Sequence, residues 1–394
     1  MWGKFTIKGS SELESKITAI MKEVVSTLKP LLPPKNYRAL ILIGGYGRGE
    51  GGVEIQNGVQ KPHNNFDFLL LTKNLSDNQK LKNALDSAVV PLVKKYDIGM
   101  DIGMIDYQKL RRSSRLVMWH DMYFGHKVIL GAEDCISSLK KFASKNIVRQ
   151  DIINLLVNRG TLLLINELLL QKCSLEDEVI RRLIIKHTVK AVIGYGDALL
   201  YFRGAYSWSY AEKQRLMQSQ SVDSVFKKLY DEMINFRFQP QYENYLQLDL
   251  GKWIDGLLPQ LANVHLLCEQ KRLKKNITWE NYLQNAFTHT FSANIFSPRT
   301  TVKKFIHFTK SKPRVSFGNL FANLGYRCCD PRQILTIIFP IVAYKIYDGD
   351  ARIIENILGT QDNKLLIPYL KQWSICGDSN FVHFLKRYNI ELVH

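Results

Sequence analysis

Apolar residues first recur at helical spacing. Leu13, Ile17, Ile20, Met21, Val24 and Leu28 lie three or four positions apart, so residues 11–28 predict a helix with one apolar stripe. It stops at Pro30 and the Pro33-Pro34 pair. The pattern then changes to continuous apolar runs. Residues 38–45 read as a buried strand that ends in glycine, and residues 66–72 as a second. The stretch 51–64 reads as a polar loop with Asn57-Gly58 as its turn. Residues 81–95 predict a helix kinked at Pro91. From 98 to 106 the chain alternates, with Ile98, Met100, Ile102 and Met104 set against Gly99, Asp101 and Gly103. A period of two is that of a strand with one polar face. Residues 127–130 form a short strand or hairpin arm.

Beyond residue 147 the pattern is helical, with segments expected at 147–171, 176–202 and 212–235. The runs Leu162 to Ile165 and Leu168 to Leu170 imply a helix buried on most sides. The fold class expected is therefore an α/β (α+β) domain with a small mixed sheet over residues 1–145, followed by an α-helical domain over 146–394. The linker is expected near 143–149. No internal repeat or low-complexity tract interrupts either part.

Composition excludes a disordered chain: 46% of the 394 residues are hydrophobic and 11% aromatic. The net charge is +18, and it is not confined to a tail. Spread basicity suits a polyanionic partner such as nucleic acid, nucleotide or acidic membrane, and equally a solvated basic surface. The six cysteines form no C-x-x-C, and no histidine pair sits at zinc spacing. Neither zinc nor a disulfide framework is expected. The cysteine usage suggests a reducing, cytoplasmic setting, with delivery into another cell left open. Residues 1–5 lack the apolar core of a signal peptide. The longest apolar stretch, Ile334 to Tyr344, is too short for a bilayer and contains Pro340, so no membrane span is expected.

The candidate chemistry lies where the first strand ends. Ile41-Leu42-Ile43 runs into Gly44-Gly45-Tyr46-Gly47-Arg48-Gly49-Glu50, and the second strand opens with Asn65-Phe66-Asp67. Glycine lets backbone N–H groups approach phosphate oxygens. A strand-borne carboxylate suits Mg²⁺, which prefers oxygen ligands and substrate phosphates. This order of apolar strand, Gly-Gly, loop and acidic strand mouth resembles the DNA polymerase β-like nucleotidyltransferase superfamily. The 44–50 segment is especially similar to nitrogen-signalling uridylyltransferases and to a group of bacterial stand-alone nucleotidyltransferases. The likeness extends over the spacer 52–63, Met100-Asp101-Ile102, the segment 119–131 and residues 209–214, hence about residues 40–215.

The resemblance implies transfer of a nucleoside monophosphate from an NTP, ATP among them, to an acceptor, with Mg²⁺ or Mn²⁺ and release of pyrophosphate. Two carboxylates at i and i+2 and a third on a neighbouring strand hold the metal in that family. Gly44 and Gly45 match the phosphate turn, with Arg48 as a phosphate ligand. Asp67 matches the second carboxylate and Asp101 the third. Asn65 stands where the first belongs. An amide oxygen can touch a cation but brings no charge. Three explanations stay open: a degenerate protein that binds without turnover, compensation by Glu50, Glu54 or Asp106, or an inactivating replacement. The acceptor is equally open, a tRNA-like RNA, a protein or a small molecule.

Each residue also has a plainer reading. The glycines suit any tight turn. Arg48 can pair with Glu50 or Glu54, and Asp121 can cap a turn. On the helical side Lys190, Gly194, Asp197 and Tyr201 share a face, either as an acceptor-side stripe or as a buried Lys190–Asp197 pair. Tyr206, Trp208 and Tyr210 beside Lys213 and Arg215 suit stacking on a base or ordinary packing. The basic stretch 299–314 is a polyanion strip or a charged loop.

Overall fold

A computed structural model describes residues 2–73, 79–143, 146–292, 298–310, 315–346, 351–361, 364–378 and 380–392. The chain forms two compact units. The first comprises residues 1–152 together with 204–241, and the second 153–203 together with 242–394. The segment 204–241, expected in the helical portion, thus folds with the N-terminal portion.

Among the described residues the strands are β1 (Tyr37–Ile43), β2 (Val53–Gln56), β3 (Val59–Pro62), β4 (Phe66–Thr72), β5 (Met100–Asp106) and β6 (Lys127–Gly131). The helices of the N-terminal portion are α1 (Ser11–Leu28), α2 (Gly44–Arg48), α3 (Gln79–Tyr96), α4 (Tyr107–Arg112) and α5 (Val117–Phe124). After them come α6 (Arg149–Lys172), α7 (Glu178–Phe202), α8 (Tyr210–Gln218) and α9 (Ser224–Phe238). The rest of the chain adds α10 (Glu243–Leu246), α11 (Leu250–Leu273), α12 (Trp279–Ser292), α13 (Pro298–Lys310), α14 (Leu320–Cys328), α15 (Pro331–Tyr344), α16 (Ala351–Leu358), α17 (Leu366–Cys376) and α18 (Asn380–Arg387).

In the first unit a mixed sheet runs β5-β4-β1-β6. Only the β4–β5 pair is parallel. The period of two divides its residues between two cores. Leu40, Leu42, Phe66, Phe68, Leu70, Met100 and Ile102 pack with α1 and α3 on one face. Ala39, Ile41, Leu69 and Leu71 pack with α4, α5 and residues 135–142 on the other. Pro91 lies inside α3.

The expected polar loop at 51–64 is instead a hairpin. Strands β2 and β3 pair antiparallel around Asn57 and Gly58, at φ 50° and 77°. Positive φ at both turn residues is what such a tight hairpin requires. The glycine end of β1 is a single helical turn, α2, rather than more strand. The helix expected at 212–235 is two, α8 and α9, separated at 219–223.

The second unit is helical. α7 is buried along most of its length from Ile180 to Leu200. α11 packs against α7 and α15, and α15 against α17. Among the described residues one helix, Arg149–Lys172, is long and apolar enough to cross a membrane, and 67% of its most apolar window is buried within the protein. The cysteines are unbridged.

Candidate active site

Strand pairing alone brings the two candidate carboxylates together. Asp67 is the second residue of β4 and Asp101 the second of β5, and the two are Cα partners in the parallel register. Registered residues point to the same face, about 5 Å apart. Asp67 is half-buried and Asp101 is exposed. On the other side of β4, Asp67 is the partner of Ile43, the last residue of β1. The chain therefore turns at Gly44 directly beside Asp67.

Gly44 has φ +68°, and a β-carbon there would stand 2.6 Å from Asp67 Oδ2. Only glycine allows both that backbone and that approach. Tyr46, buried behind the turn, donates its hydroxyl to the Gly52 carbonyl at 2.8 Å and accepts from the His63 N–H at 3.0 Å. Its ring lies edge-on to Phe66 at 4.6 Å. Gly51 lacks a β-carbon where the Tyr46 ring passes. One tyrosine thus holds the glycine turn, both ends of the hairpin and the mouth of β4.

Asn65, at the position where the resemblance puts a first carboxylate, reaches Asp101. Its amide Nδ2 donates to Asp101 Oδ2 at 3.0 Å, and the side chain packs where Gly99 has no β-carbon. The amide satisfies one lone pair of Asp101 and leaves the others free to accept. Asp67, Asp101 and the Asn65 amide are hard oxygen donors that suit Mg²⁺ or Mn²⁺. Among the described residues no group of three or more His, Cys, Asp and Glu side chains gathers to hold a metal. Two carboxylates fit a Mg²⁺ ion whose other ligands are water and substrate phosphates. They do not make an all-protein cage. Of the three acidic residues expected as compensating ligands, Glu54 is buried on β2. Glu50 is 4% exposed and engaged elsewhere, and Asp106 caps α4 by accepting from the N–H groups of Gln108 and Lys109.

Arg48 takes the plainer of its two expected roles. Its side chain is 8% exposed, with Nη1 3.3 Å from Asp121 Oδ2 and Nε 3.7 Å from Glu50 Oε2. Burial opposes its charge, but the neighbouring Tyr210, Asp121, Glu50 and Tyr206 more than offset that and raise its pKa above the ordinary value. Glu50 continues the network. It accepts from Ser209 Oγ at 2.6 Å and from the N–H groups of Tyr210 and Ala211 at 2.9 and 3.3 Å. A carboxylate on the first N–H groups of α8 satisfies orphan donors and complements the helix dipole. Asp121 also accepts from the Tyr206 hydroxyl at 2.9 Å. The fully buried Lys213 donates to Tyr206 at 3.3 Å. Arg48, Glu50 and Asp121 therefore strap residues 206–213 onto the turn.

Tyr210 is the hub of that strap. Arg48, Lys213 and Arg237 approach its ring at 4.7, 4.6 and 4.2 Å, within cation–π range. Arg237, on α9, is a residue that sequence reasoning missed. Its guanidinium lies 3.2 Å from the point a Gly45 β-carbon would occupy. Its Nε is buried without a hydrogen-bond partner. Among the described residues no carboxylate pairs with it. No motif marks it, since it lies 192 positions beyond Gly45.

Lys190 and Asp197 stand on α7 in the second unit, with Asp197 buried and Lys190 half-buried. Gly194, between them, faces the side chain of Arg159. Of the basic stretch 299–314, residues 311–314 lie outside the described residues, as do 144–145 of the expected linker. Comparison with protein-family models, curated proteins and solved structures finds no match.

Proposed function

We propose that this chain is a metal-dependent nucleotidyltransferase of the DNA polymerase β-like superfamily, moving a nucleoside monophosphate from an NTP to an acceptor with release of pyrophosphate. The observation that supports it most is the close approach of Gly44 to Asp67, with Asp101 in register on the next strand. A glycine-lined turn beside paired strand-end carboxylates suits a triphosphate on one side and a divalent cation on the other.

In this reading Asp67 and Asp101 hold Mg²⁺ or Mn²⁺. The ion supplies charge neutralisation at the α-phosphate. The Gly44-Gly45 backbone cradles the β- and γ-phosphates, and Arg237, with which no carboxylate pairs among the described residues, donates to them. Arg48 holds the turn and the α8 strap rather than the substrate. Exposed Asp101 accepts the proton of the attacking hydroxyl, and its bond from Asn65 orients the carboxylate for that task. Tyr210, in the same unit, offers a ring on the acceptor side. The +18 charge favours RNA as acceptor over a protein or small molecule.

One observation supports a second reading, binding without turnover. Where the family has its first carboxylate, Asn65 presents an amide that donates to Asp101. A neutral group there weakens a cation site. The test is transfer of label from each NTP, radiolabelled at the α-phosphate, onto total RNA or a protein lysate, with Mg²⁺ or Mn²⁺. The enzyme reading expects transfer that Asp67→Ala abolishes and Asn65→Asp raises. Mg²⁺-independent NTP binding with no transfer by any variant, Asn65→Asp included, establishes the second reading instead.

A further inference from the structure

The second unit has a surface that the nucleotidyl-transfer reading does not use. Between Asn281 and Cys329 the chain has seven Lys and Arg residues and no Asp or Glu. Such a run in a folded region is locally far more basic than the chain as a whole. Within it lies α13, whose bonds to its neighbours include two that orient it. Lys304 Nζ donates to the Phe291 carbonyl at 2.9 Å, and Arg327 Nη2 donates to the Phe308 carbonyl at 3.2 Å. The Arg327 guanidinium also covers the Phe308 ring at 3.7 Å. These contacts fix which face of α13 is turned inward.

The opposite face is apolar and open. Val302, Phe305 and Ile306, at i, i+3 and i+4, share one stripe. They are 58%, 67% and 42% exposed. Leu320 and Phe321, which open the adjoining α14, are 67% and 53% exposed. Single exposed apolar residues need no explanation, but several on one short helix and its neighbour do. Exposed Lys303 and Lys310 flank the stripe.

We propose that α13 and the start of α14 dock the protein on an anionic membrane surface. Phe305, Val302 and Ile306 enter the boundary between headgroups and acyl chains, and the surrounding cations meet lipid phosphates and carboxylates. Charge selects the partner: exposed Lys303 and Lys310 beside the stripe, in a segment without one acidic side chain, complement an anionic surface. The apolar stripe selects lipid over nucleic acid. Phe305 and Phe321 suit either partner, but aliphatic Val302, Ile306 and Leu320 offer no face on which a base stacks, whereas a bilayer interior accepts them. The attachment is peripheral, since α13 is a 13-residue helix, too short to span a bilayer.

The experiment is co-sedimentation of the full chain with vesicles of phosphatidylcholine alone or with phosphatidylserine, at low and high salt. Binding is expected only to the phosphatidylserine vesicles and should weaken with salt. Phe305→Ser should lower the partition coefficient roughly tenfold, and Lys303→Glu at least about fivefold. Both positions are exposed, so unchanged circular dichroism and melting are expected of both variants. No vesicle binding by the parent protein overturns the proposal. So does binding that both variants retain, or a concentration-dependent dimer lost in Phe305→Ser. Salt-sensitive binding to RNA in place of vesicles would also overturn it.

Discussion

Replacing Gly44 by alanine tests the centre of the site. Two effects are expected, and they can be separated. The first is backbone strain, because Gly44 has φ +68°, where an L side chain costs about 1–2 kcal/mol. The second is the new methyl, 2.6 Å from Asp67 Oδ2 where ordinary contact begins at 3.4 Å. The carboxylate must retreat by the difference. A misplacement of about 1 Å in a reacting group can lower a rate by ~100-fold. Gly58 provides the control. It has φ +77° in the same unit, with nothing within 4 Å of its would-be β-carbon, so Gly58→Ala carries the strain alone. Urea unfolding of both variants should show a loss of about 1–2 kcal/mol for Gly58→Ala and about 1 kcal/mol more for Gly44→Ala. Calorimetry should show Mg²⁺-dependent NTP affinity falling at least about tenfold in Gly44→Ala and unchanged in Gly58→Ala. If Gly44→Ala binds NTP as the parent does and is no less stable than Gly58→Ala, the close approach of turn and carboxylate has no functional weight.

Glu50→Ala leaves buried Arg48 with Asp121 alone and removes the acceptor for Ser209, Tyr210 and Ala211. Its stability in urea should fall by about 3–5 kcal/mol, and a loss below ~1 kcal/mol would refute the strap. Arg237→Ala should weaken NTP binding by about tenfold or more while leaving nucleoside binding unchanged; equal effects on both ligands would assign Arg237 to packing. In the second unit burial lowers the pKa of His187 and His265 from 6.5 to about 3. Both are neutral when folded, so the stability their burial allows is full above pH 6.5. Below that the unfolded chain takes up protons that the folded chain does not. Stability should therefore fall by about 1.4 kcal/mol per pH unit for each histidine until pH approaches 3. A urea midpoint that is flat between pH 7 and pH 5 would contradict the burial of both rings.

Much of the first unit was legible from local pattern, because a strand buried on both faces needs an unbroken apolar run and a half-exposed one alternates. Phe66–Thr72 and the alternation at 98–106 are of that kind, and so is the stripe of α1. The hairpin at 53–62 was not legible as strands. Its residues are mostly polar, and only the positive φ at Asn57 and Gly58 makes it pair. The break between α8 and α9 at 219–223 contains no proline or glycine to announce it.

By itself the sequence determined which residues stand at strand mouths, namely Gly44, Gly45, Asp67 and Asp101, because glycine turns and apolar runs are local signals. Only the tertiary structure decided their partners. Parallel register sets Asp67 beside Asp101, while the hydrogen bond from Asn65 reaches Asp101 across 36 positions. Arg48 spends its charge on Glu50 and Asp121, and Arg237 arrives at Gly45 from a helix nearly two hundred residues later. Side-chain pairing depends on distances that chain order does not encode, so periodicity reveals where a charge sits and not what neutralises it.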